Sequence, residues 1–311
     1  MTAVIAVAGG TCGMGKVIVD HLQSETAFKV VILTRSEPPL RRNLQNVEYV
    51  KVDYDDIPSL AAQLKLHTAR TLISAIGLYS QECSQAQLNL IEAAEQSKTV
   101  QRFIPSQYGY MTVERYCDID PGIKWYLAAG KRLQHSTLQF THVVCGGFMD
   151  CLGLSERDTD INPLHLGINV TDCQASIPED GNALFTLTHS SDVATFVGEL
   201  LKLDVWPEYS ICCGEDVTFN DIVRIAENIR RRRFRVTYIS SVGPVNGTVA
   251  ALKVPKVGGR QQEDLESFTT LANQLIVAGA VLLPLENRLS EKLPGFKPRT
   301  VQEFLKEIWK N

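Results

Sequence analysis

The residues with the clearest chemical meaning form a glycine-rich turn near the amino terminus. Residues 7–16 read VAGGTCGMGK and directly follow the apolar run 3–8. A glycine-rich turn between a first strand and a first helix brings backbone N–H groups and the positive helix end together, where a pyrophosphate can bind. The sequence therefore predicts a phosphate-binding turn with Gly9 and Gly15 as its outer pair. The predicted phosphate contacts are Gly9, Thr11, Cys12, Gly13, Met14 and Gly15.

The spacing of these glycines departs from the common GxGxxG pattern. Cys12 stands where a GxxGxxG pattern has its middle glycine. We expect Gly13 to absorb the resulting strain, because glycine accepts backbone conformations that other residues avoid. Gly10 and Gly13 offer the same spacing shifted by one residue, which leaves the register of the turn open. A tight strand-to-helix turn without a ligand is the alternative interpretation.

A second chemically informative residue is Arg35, at the end of the second predicted strand and 20 residues after Gly15. At this place a dinucleotide-binding fold carries an acidic residue for the ribose of NAD, or an arginine for the 2′-phosphate of NADP. A guanidinium matches a phosphate in charge and geometry. The pair Thr34-Arg35 therefore predicts NADPH, or NADP⁺, rather than NADH as the cofactor. A solvated loop arginine is the alternative.

Two further strand ends carry residues for the same ligand. Asp53 and Tyr54 end the third predicted strand, where a carboxylate could accept a hydrogen bond from adenine, or could cap the strand end. Ile76 and Gly77 follow the fourth strand, where the backbone would pass the ribose next to the nicotinamide. Glycine at position 77 permits that close approach.

The elements that must position these residues alternate regularly along the first half of the chain. Strands are predicted at 3–8, 29–33, 47–52, 71–75, 102–104 and 140–144, with helices at 16–23, 58–65, 85–96 and 123–135. Strands that alternate with helices predict βαβ units and a parallel sheet. The expected fold class is α/β, a Rossmann-like doubly wound parallel sheet with a smaller discontinuous substrate-binding lobe.

The second half of the chain is predicted to complete the sheet and to build the lobe. Strands are predicted at 184–187, 209–213 and 235–239, with helices at 190–203, 220–230, 266–281 and 300–309. We assign 1–150 and 185–213 to the dinucleotide-binding domain, and 151–184 and 214–311 to the lobe. The glycine-rich stretch 242–260 is predicted to be a long loop or lid.

Composition excludes several other classes of protein. The chain has 311 residues, 31 Lys+Arg against 35 Asp+Glu and a net charge of −4, which argues against a nucleic-acid partner despite the run Arg230–Arg233. The longest apolar run is about half of the roughly 20 residues that span a bilayer. Eight cysteines without a CxxC pair predict no metal site and fit a reducing compartment. We expect a cytoplasmic protein that does not enter a membrane.

Taken together, the ordered motifs resemble a known family. The glycine turn, Thr34-Arg35, Asp53-Tyr54-Asp55 and residues 103–109 (FIPSQYG) are similar to the NmrA-like, isoflavone-reductase-like branch of the atypical short-chain dehydrogenase/reductases. The family usually has glycine where this chain has Cys12, and Glu-Phe where it has Gln107-Tyr108. The resemblance covers essentially the whole chain.

This resemblance implies a function and further site residues. It implies an NADPH-dependent oxidoreductase that reduces a small, largely apolar, aromatic or polyketide-like carbonyl or conjugated specialised metabolite. A non-enzymatic NADP(H) sensor and a non-redox isomerase or dehydratase are alternatives, and a homodimer is left open. Ser106, Gln107 and Phe148 are expected at the cofactor, and Tyr108, Phe148 and Met149 at the substrate.

The resemblance also implies a catalytic lysine at the start of the helix before the sixth strand. No tyrosine near this helix has a lysine four residues later, so the YxxxK pair of classical short-chain dehydrogenases is excluded. An ungapped count from strand six places the family's lysine at Tyr126, whereas a two-residue insertion restores Lys124. We predict Lys124 as the catalytic and ribose-binding group. Lys131 and a phenol of Tyr108 or Tyr126 are alternatives, as is a solvated Lys124 packed on Trp125.

Overall fold

The fold is described by a computed structural model that covers residues 2–37, 46–153, 160–161, 166–240 and 262–309. The strands are β1 (Ala3–Ala8), β2 (Phe28–Thr34), β3 (Val47–Lys51), β4 (Thr71–Ser74), β5 (Arg102–Ile104), β6 (Gln139–Phe140), β7 (His142–Val144), β8 (Gly147–Phe148), β9 (Ile168–Asn169), β10 (Gln174–Pro178), β11 (Phe185–Thr188), β12 (Tyr209–Ile211), β13 (Glu215–Val217) and β14 (Arg235–Ile239). The helices are α1 (Gly13–Leu22), α2 (Ile57–Leu66), α3 (Gln81–Ser97), α4 (Ile123–Gln134), α5 (Ser190–Leu201), α6 (Phe219–Arg230), α7 (Gln262–Val277) and α8 (Val301–Ile308).

A six-stranded sheet forms the centre of the molecule. Its order is β3-β2-β1-β4-β5-β6, and every neighbouring pair is parallel. The chain proceeds outwards from β1 to β3, then crosses back to β4 and continues in the other direction. This crossover makes the gap between β1 and β4 a topological switch point, where ligands bind in open α/β sheets. The predicted fold class is confirmed.

Helices cover both faces of the sheet because the strands are apolar on both sides. In β1, Ile5 and Val7 join a buried cluster with α1 and α5, whereas Ala6 and Ala8 join a cluster with α2, α3 and α4. Successive side chains of a strand point to opposite faces, so an almost continuous apolar run buries both. The two clusters therefore hold the turn after β1 between two packed layers.

The sixth predicted strand is divided between two neighbours. The prediction of one strand at 140–144 is wrong in this respect, because β6 pairs with β5 and β7 pairs with β12. The N–H of Thr141 donates to the C=O of Phe103 at 3.3 Å, and the N–H of His142 donates to the C=O of Glu208 at 2.8 Å. The β7–β12 pair is thus a separate parallel pair, which follows directly after β6 in the chain.

The remaining strands build two small sheets beside the large one. Their orders are β13-β11-β8 and β14-β10-β9, each with one parallel and one antiparallel pair. A third buried cluster joins these strands to α6, α7 and α8. The division of the chain into two domains stays a prediction, and the predicted lid at 242–260 lies outside the described residues.

His142 is a core residue with one unpaired ring nitrogen. Its side chain is buried against the Tyr209 ring, with the ring centroids 5.0 Å apart. Its buried Nδ1 has no hydrogen-bond partner among the described residues. Burial lowers the pKa of His142 from 6.5 to about 4, opposed by the charge of Glu208.

This lowered pKa predicts a loss of stability in mild acid. Between pH 6.5 and about 4 the unfolded chain binds a proton at His142 that the folded chain excludes, so stability falls as the pH falls through this window. The contribution is about 3 kcal/mol at most. We expect His142→Phe to flatten the free energy of unfolding across this range, measured by urea denaturation at several pH values. His135→Gln, at an exposed histidine, should keep the wild-type slope. An unchanged slope in His142→Phe would contradict this assignment.

Candidate active site

The glycine turn adopts a conformation that depends on two of its glycines. Gly9 and Gly13 have φ values of +78° and +56°, in the left-handed region that disfavours side chains. Cys12 between them has an extended backbone, with φ −154° and ψ 173°, which any residue can adopt. Cys12 is therefore tolerated in place of the family's glycine because its neighbour Gly13 takes the left-handed conformation. This agrees with the role expected for Gly13.

Three backbone segments meet at this turn without room for a side chain. A Cβ atom on Gly9 would lie 2.7 Å from the carbonyl oxygen of Ala75, and one on Gly15 would lie 2.3 Å from the carbonyl oxygen of Gly9. On Gly13 a Cβ atom would meet nothing within 4 Å. This geometry favours Gly9 and Gly15 as the outer pair, and it leaves open space beside Gly13.

The start of α1 offers backbone donors to that space. The N–H of Lys16 donates to the C=O of Cys12, at 3.2 Å, and so closes the first helical turn. The N–H groups of Gly13, Met14 and Gly15 precede this bond and have no acceptor within the helix. Together with the positive helix end they form a site suited to an anion.

A cavity of 310 Å³ adjoins the turn at the switch point of the sheet, and we call it the polar cavity. Nine residues predicted from the sequence line it: Gly9, Thr11, Cys12, Thr34, Arg35, Asp53, Tyr54, Ile76 and Gly77. Residues that the sequence analysis missed also line it: Leu33, Ser36, Asp55, Ala75, Glu82, Cys83 and Ala86. The predicted strand ends are thus brought together around one cavity.

Arg35 is the positive charge of the polar cavity. Its side chain is exposed and makes no ion pair with a described residue. The nearby carboxylate of Asp53 accepts a hydrogen bond from the N–H of Asp55 at 3.0 Å, and Asp53 thus caps the end of its strand. Asp53 also lines the cavity. A phosphate at this end would meet an uncommitted guanidinium.

Tyr54 acts mainly as a brace under the cavity. Its buried hydroxyl donates to the C=O of Leu33 at 2.9 Å, which ties the end of β2 to the segment after β3. Burial raises the pKa of Tyr54 to about 12, although the N–H of Gly9 and the charge of Arg35 act in the opposite direction. The phenol is therefore protonated at neutral pH and remains a donor in this brace.

Several predicted cofactor residues do not reach the described lining of the polar cavity. Met14 packs in the core beneath α1. The N–H of buried Ser106 donates to the side chain of Gln87 at 2.8 Å, and the side-chain amide of Gln107 donates to Thr112 at 3.0 Å. These interactions stabilise the loop after β5, and the predicted cofactor contacts of Ser106 and Gln107 stay predictions.

A second cavity, of 250 Å³, is lined largely by residues of the third buried cluster, and we call it the apolar cavity. Its lining consists of Tyr108, Gly109, Tyr110, Asp120, Gly146, Gly147, Phe148, Leu166, Phe185, Leu187, Phe268, Leu271, Ala272, Leu275, Ile276 and Val281. Two of the predicted substrate residues, Tyr108 and Phe148, are among them. The third, Met149, is fully buried in the cluster of the lobe and does not reach this lining.

A polar group that the sequence analysis missed lies at one side of the apolar cavity. The Tyr110 hydroxyl donates to Asp120 at 2.5 Å, and the N–H of Gly122 donates to the other carboxylate oxygen at 2.8 Å. Burial and the charge of Asp120 raise the pKa of Tyr110. The sequence signal for this group was weak: a tyrosine two residues after Tyr108, and an aspartate shortly before α4.

Tyr126 on α4 is partly buried near this group and is not among the described lining residues of either cavity. Burial, the charge of Asp120 and that of Tyr79 together raise the pKa of Tyr126 to about 12. Tyr79 in turn lies against Gly77, where an added Cβ atom would come within 2.1 Å of the Tyr79 ring. Among the described residues, none forms a hydrogen bond with the Tyr126 hydroxyl. Its phenol is therefore protonated and uncommitted.

The two candidate lysines of α4 are outside both cavities. Lys124 is exposed, and its ammonium lies 4.2 Å from the centroid of the Trp125 ring, as in the solvated alternative. Lys131 is exposed in the last turn of the helix. On the same helix Tyr126 is partly buried. The catalytic role of Lys124 stays untested, and the geometry favours Tyr126.

Tyr108, the other phenol considered, is committed elsewhere. Its hydroxyl donates to the C=O of Ser74 at 3.2 Å, and burial raises the pKa of Tyr108.

Among the described residues, no group of His, Cys, Asp and Glu could hold a metal ion. Within the same ranges, no helix is long and apolar enough to cross a membrane.

A doubly wound parallel sheet with a glycine-rich turn and an arginine at its switch point is the arrangement of Rossmann-type α/β folds. The sequence matches the NmrA-like family over residues 1–305, so the chain belongs to the NmrA-like family. The resemblance inferred from the motifs is thereby confirmed.

Relatives with assigned names are oxidoreductases. Oxidoreductase BOA1 of Botryotinia fuckeliana is 34% identical over 230 residues, which cover 72% of this chain and 75% of that protein. Oxidoreductase swnN of Metarhizium robertsii is 25% identical over 333 residues, covering 98% and 97%. The predicted enzyme class agrees with these names.

Solved structures with the same fold include NADP(H) complexes. The structure of AtPrR2 with NADP⁺ and (+)pinoresinol has a TM-score of 0.75 at 18% identity and covers 99% of both chains. The binary complex of leucoanthocyanidin reductase with NADPH from Vitis vinifera has a TM-score of 0.73 at 15% identity, covering 99% of this chain and all of the other. At these identities the likeness shows the fold.

The close backbone contact at Gly15 predicts that this position tolerates no side chain. Alanine normally stabilises a helix relative to glycine, but here its Cβ atom would overlap the Gly9 carbonyl. We expect Gly15→Ala to lower the free energy of unfolding by about 1–3 kcal/mol, measured by urea denaturation. Gly13→Ala is the matched control, with only the cost of its left-handed backbone, about 1 kcal/mol. Equal stability of Gly15→Ala and wild type would contradict the described packing.

Proposed function

We propose that the protein is an NADPH-dependent reductase of a small, largely apolar carbonyl or conjugated metabolite. The observation that carries this proposal is the uncommitted Arg35 guanidinium beside the glycine cradle, at the switch point of the sheet. The adjacent apolar cavity supports a substrate with aromatic or polyketide-like character. The names of the relatives support reduction or oxidation as the class of chemistry.

The residues present fit a dinucleotide. The α1 N–H groups and the space at Gly13 suit the diphosphate, and Arg35 suits the 2′-phosphate. Asp53 would lie at the adenine end, and Ile76 with Gly77 at the ribose next to the nicotinamide. When bound, NADPH supplies the hydride. The chain itself binds, orients and shields the reacting groups.

Tyr126 is the residue that we propose as the proton donor. Reduction of a carbonyl leaves negative charge on oxygen, which a nearby protonated phenol can neutralise. A tyrosine keeps its proton at neutral pH, and burial raises the pKa of Tyr126 further, to about 12. Tyr126 is near Asp120 of the apolar cavity and near Tyr79, which lies against Gly77 of the polar cavity. We therefore propose Tyr126 in place of the predicted Lys124.

One observation favours the sensor as a second candidate. No described lining residue of either cavity is a lysine, whereas the resemblance implied a catalytic one. A sensor would bind NADP(H) without turnover, and a non-redox isomerase or dehydratase would convert substrate without consuming NADPH. The aromatic walls of the apolar cavity and its polar group support the enzyme. A cytoplasmic location and a homodimer stay predictions, the latter testable by light scattering.

The cofactor proposal predicts that Arg35 determines the preference between the two dinucleotides. We expect wild-type protein to bind NADPH at least about tenfold more tightly than NADH, because a charge-assisted contact to phosphate contributes about 1.5–3 kcal/mol. Arg35→Asp should reverse this preference, since aspartate repels the phosphate and accepts from ribose hydroxyls. Titration calorimetry measures both affinities. Arg70→Asp, at an exposed arginine beside β4, is the matched control. Equal affinities in the wild type would overturn the NADPH assignment.

The proton-donor proposal predicts different effects for two positions of α4. Tyr126→Phe should reduce kcat by about 100-fold or more, because general acid catalysis contributes on this scale, and should leave NADPH affinity unchanged. Lys124→Met should keep near wild-type kcat because its ammonium lies on Trp125, outside both cavities. NADPH oxidation with a panel of aromatic ketones and enones measures turnover. Loss of activity in Lys124→Met with full activity in Tyr126→Phe would restore the lysine as the catalytic group.

A further inference from the structure

The apolar cavity has an unusual distribution of charge. Among its described lining residues, Asp120 is the sole carboxylate, and Lys, Arg and His are absent. Five aromatic side chains line the same cavity: Tyr108, Tyr110, Phe148, Phe185 and Phe268. Aromatic side chains together with one negative charge are a combination that favours a cation.

The carboxylate of Asp120 is held in a fixed position. The Tyr110 hydroxyl binds one of its oxygens and the N–H of Gly122 binds the other. Both groups donate to the ionised form, and each oxygen retains a further lone pair. In surroundings this apolar, the attraction between a fixed carboxylate and a cation is screened less than it is in water.

The aromatic residues also attract a cation. The face of a phenol or phenyl ring carries partial negative charge, and a cation within about 6 Å of its centroid is stabilised by about 0.5–2 kcal/mol. An uncharged ketone would gain no such stabilisation from the rings or from Asp120. The lone pairs of its carbonyl oxygen would also be repelled by the negative charge of Asp120.

We infer that the apolar cavity selects a substrate whose reducible bond is a positively charged C=N group, an iminium ion carried on a small apolar skeleton. This inference rests on the proposed reductase function and narrows its substrate class. The negative charge of Asp120 holds the nitrogen, and the aromatic walls hold the skeleton. Asp120 is thus a specificity-determining residue.

The chemistry of such a substrate also accounts for the lysine-free cavity. Hydride from the dinucleotide forms a C–H bond at the iminium carbon, and the π electron pair of C=N becomes the lone pair of a neutral amine. Charge balances because the dinucleotide leaves in its oxidised, positively charged form. No proton is required in this step, so an iminium ion does not use Tyr126, the proton donor proposed above for carbonyl substrates.

The first test measures binding to the protein alone, without dinucleotide. The cationic probe is the N-methyl dihydroisoquinolinium ion, and the neutral probe of similar size is alpha-tetralone. Calorimetry should show tighter binding of the cation to wild-type protein. Asp120→Asn should weaken cation binding by about tenfold, the loss of one charge-assisted contact, and leave the ketone unaffected. Asp118→Asn, at an exposed aspartate outside the described lining, is the matched control and should retain wild-type affinity.

The second test follows NADPH consumption with the same two probes. The iminium ion should be reduced with the lower KM, and Asp120→Asn should raise this KM with little change in kcat, because the carboxylate acts in binding. Equal use of both probes, or an unchanged KM in Asp120→Asn, would overturn the inference while leaving the reductase proposal intact. NADPH binding without reduction of either probe or of the ketone panel would count against the reductase proposal itself.

Discussion

The close contact of three backbone segments, at Gly9, Gly15 and Ala75, is the constraint on which the site depends. It joins the end of β1, the first turn of α1 and the end of β4 at distances that exclude a side chain. Since both faces of the sheet are packed, these segments cannot separate without disrupting two buried clusters. The contact therefore determines where the helix N-terminus lies relative to the switch point, and hence where an anion can bind.

Around this contact, the polar and apolar functions of the site are kept apart. The polar cavity carries Arg35 and the backbone donors, while the apolar cavity carries aromatic walls and Asp120. Tyr108 lies where the two approach each other: it lines the apolar cavity, and its hydroxyl donates to the C=O of Ser74, next to Ala75 of the polar cavity. A phosphate-rich part of a ligand therefore suits the first cavity, and a largely apolar part suits the second.

Sequence periodicity predicted the sheet and most of the polar cavity, because both depend on local signals. Buried parallel strands are apolar runs, and the residues of the polar cavity follow directly after those runs. The apolar cavity could not be predicted in this way. Its residues come from the loop after β5, from β8 and β11 and from α7, and only their tertiary packing brings them together. The partial burial of Tyr126 and the exposure of Lys124 likewise depend on how α4 packs against the rest of the molecule. An alignment that needs a two-residue gap does not determine this packing.

The change of partner between β6 and β7 has a consequence for folding order. β12, which pairs with β7, begins more than 60 residues later, after β8–β11 and α5 have been synthesised. The edge of the sheet can therefore close only once this intervening chain has returned to it, which makes the closing contact a long-range one. A nascent chain that ends before β12 would expose the backbone groups of β7 at an open edge, a surface that favours self-association.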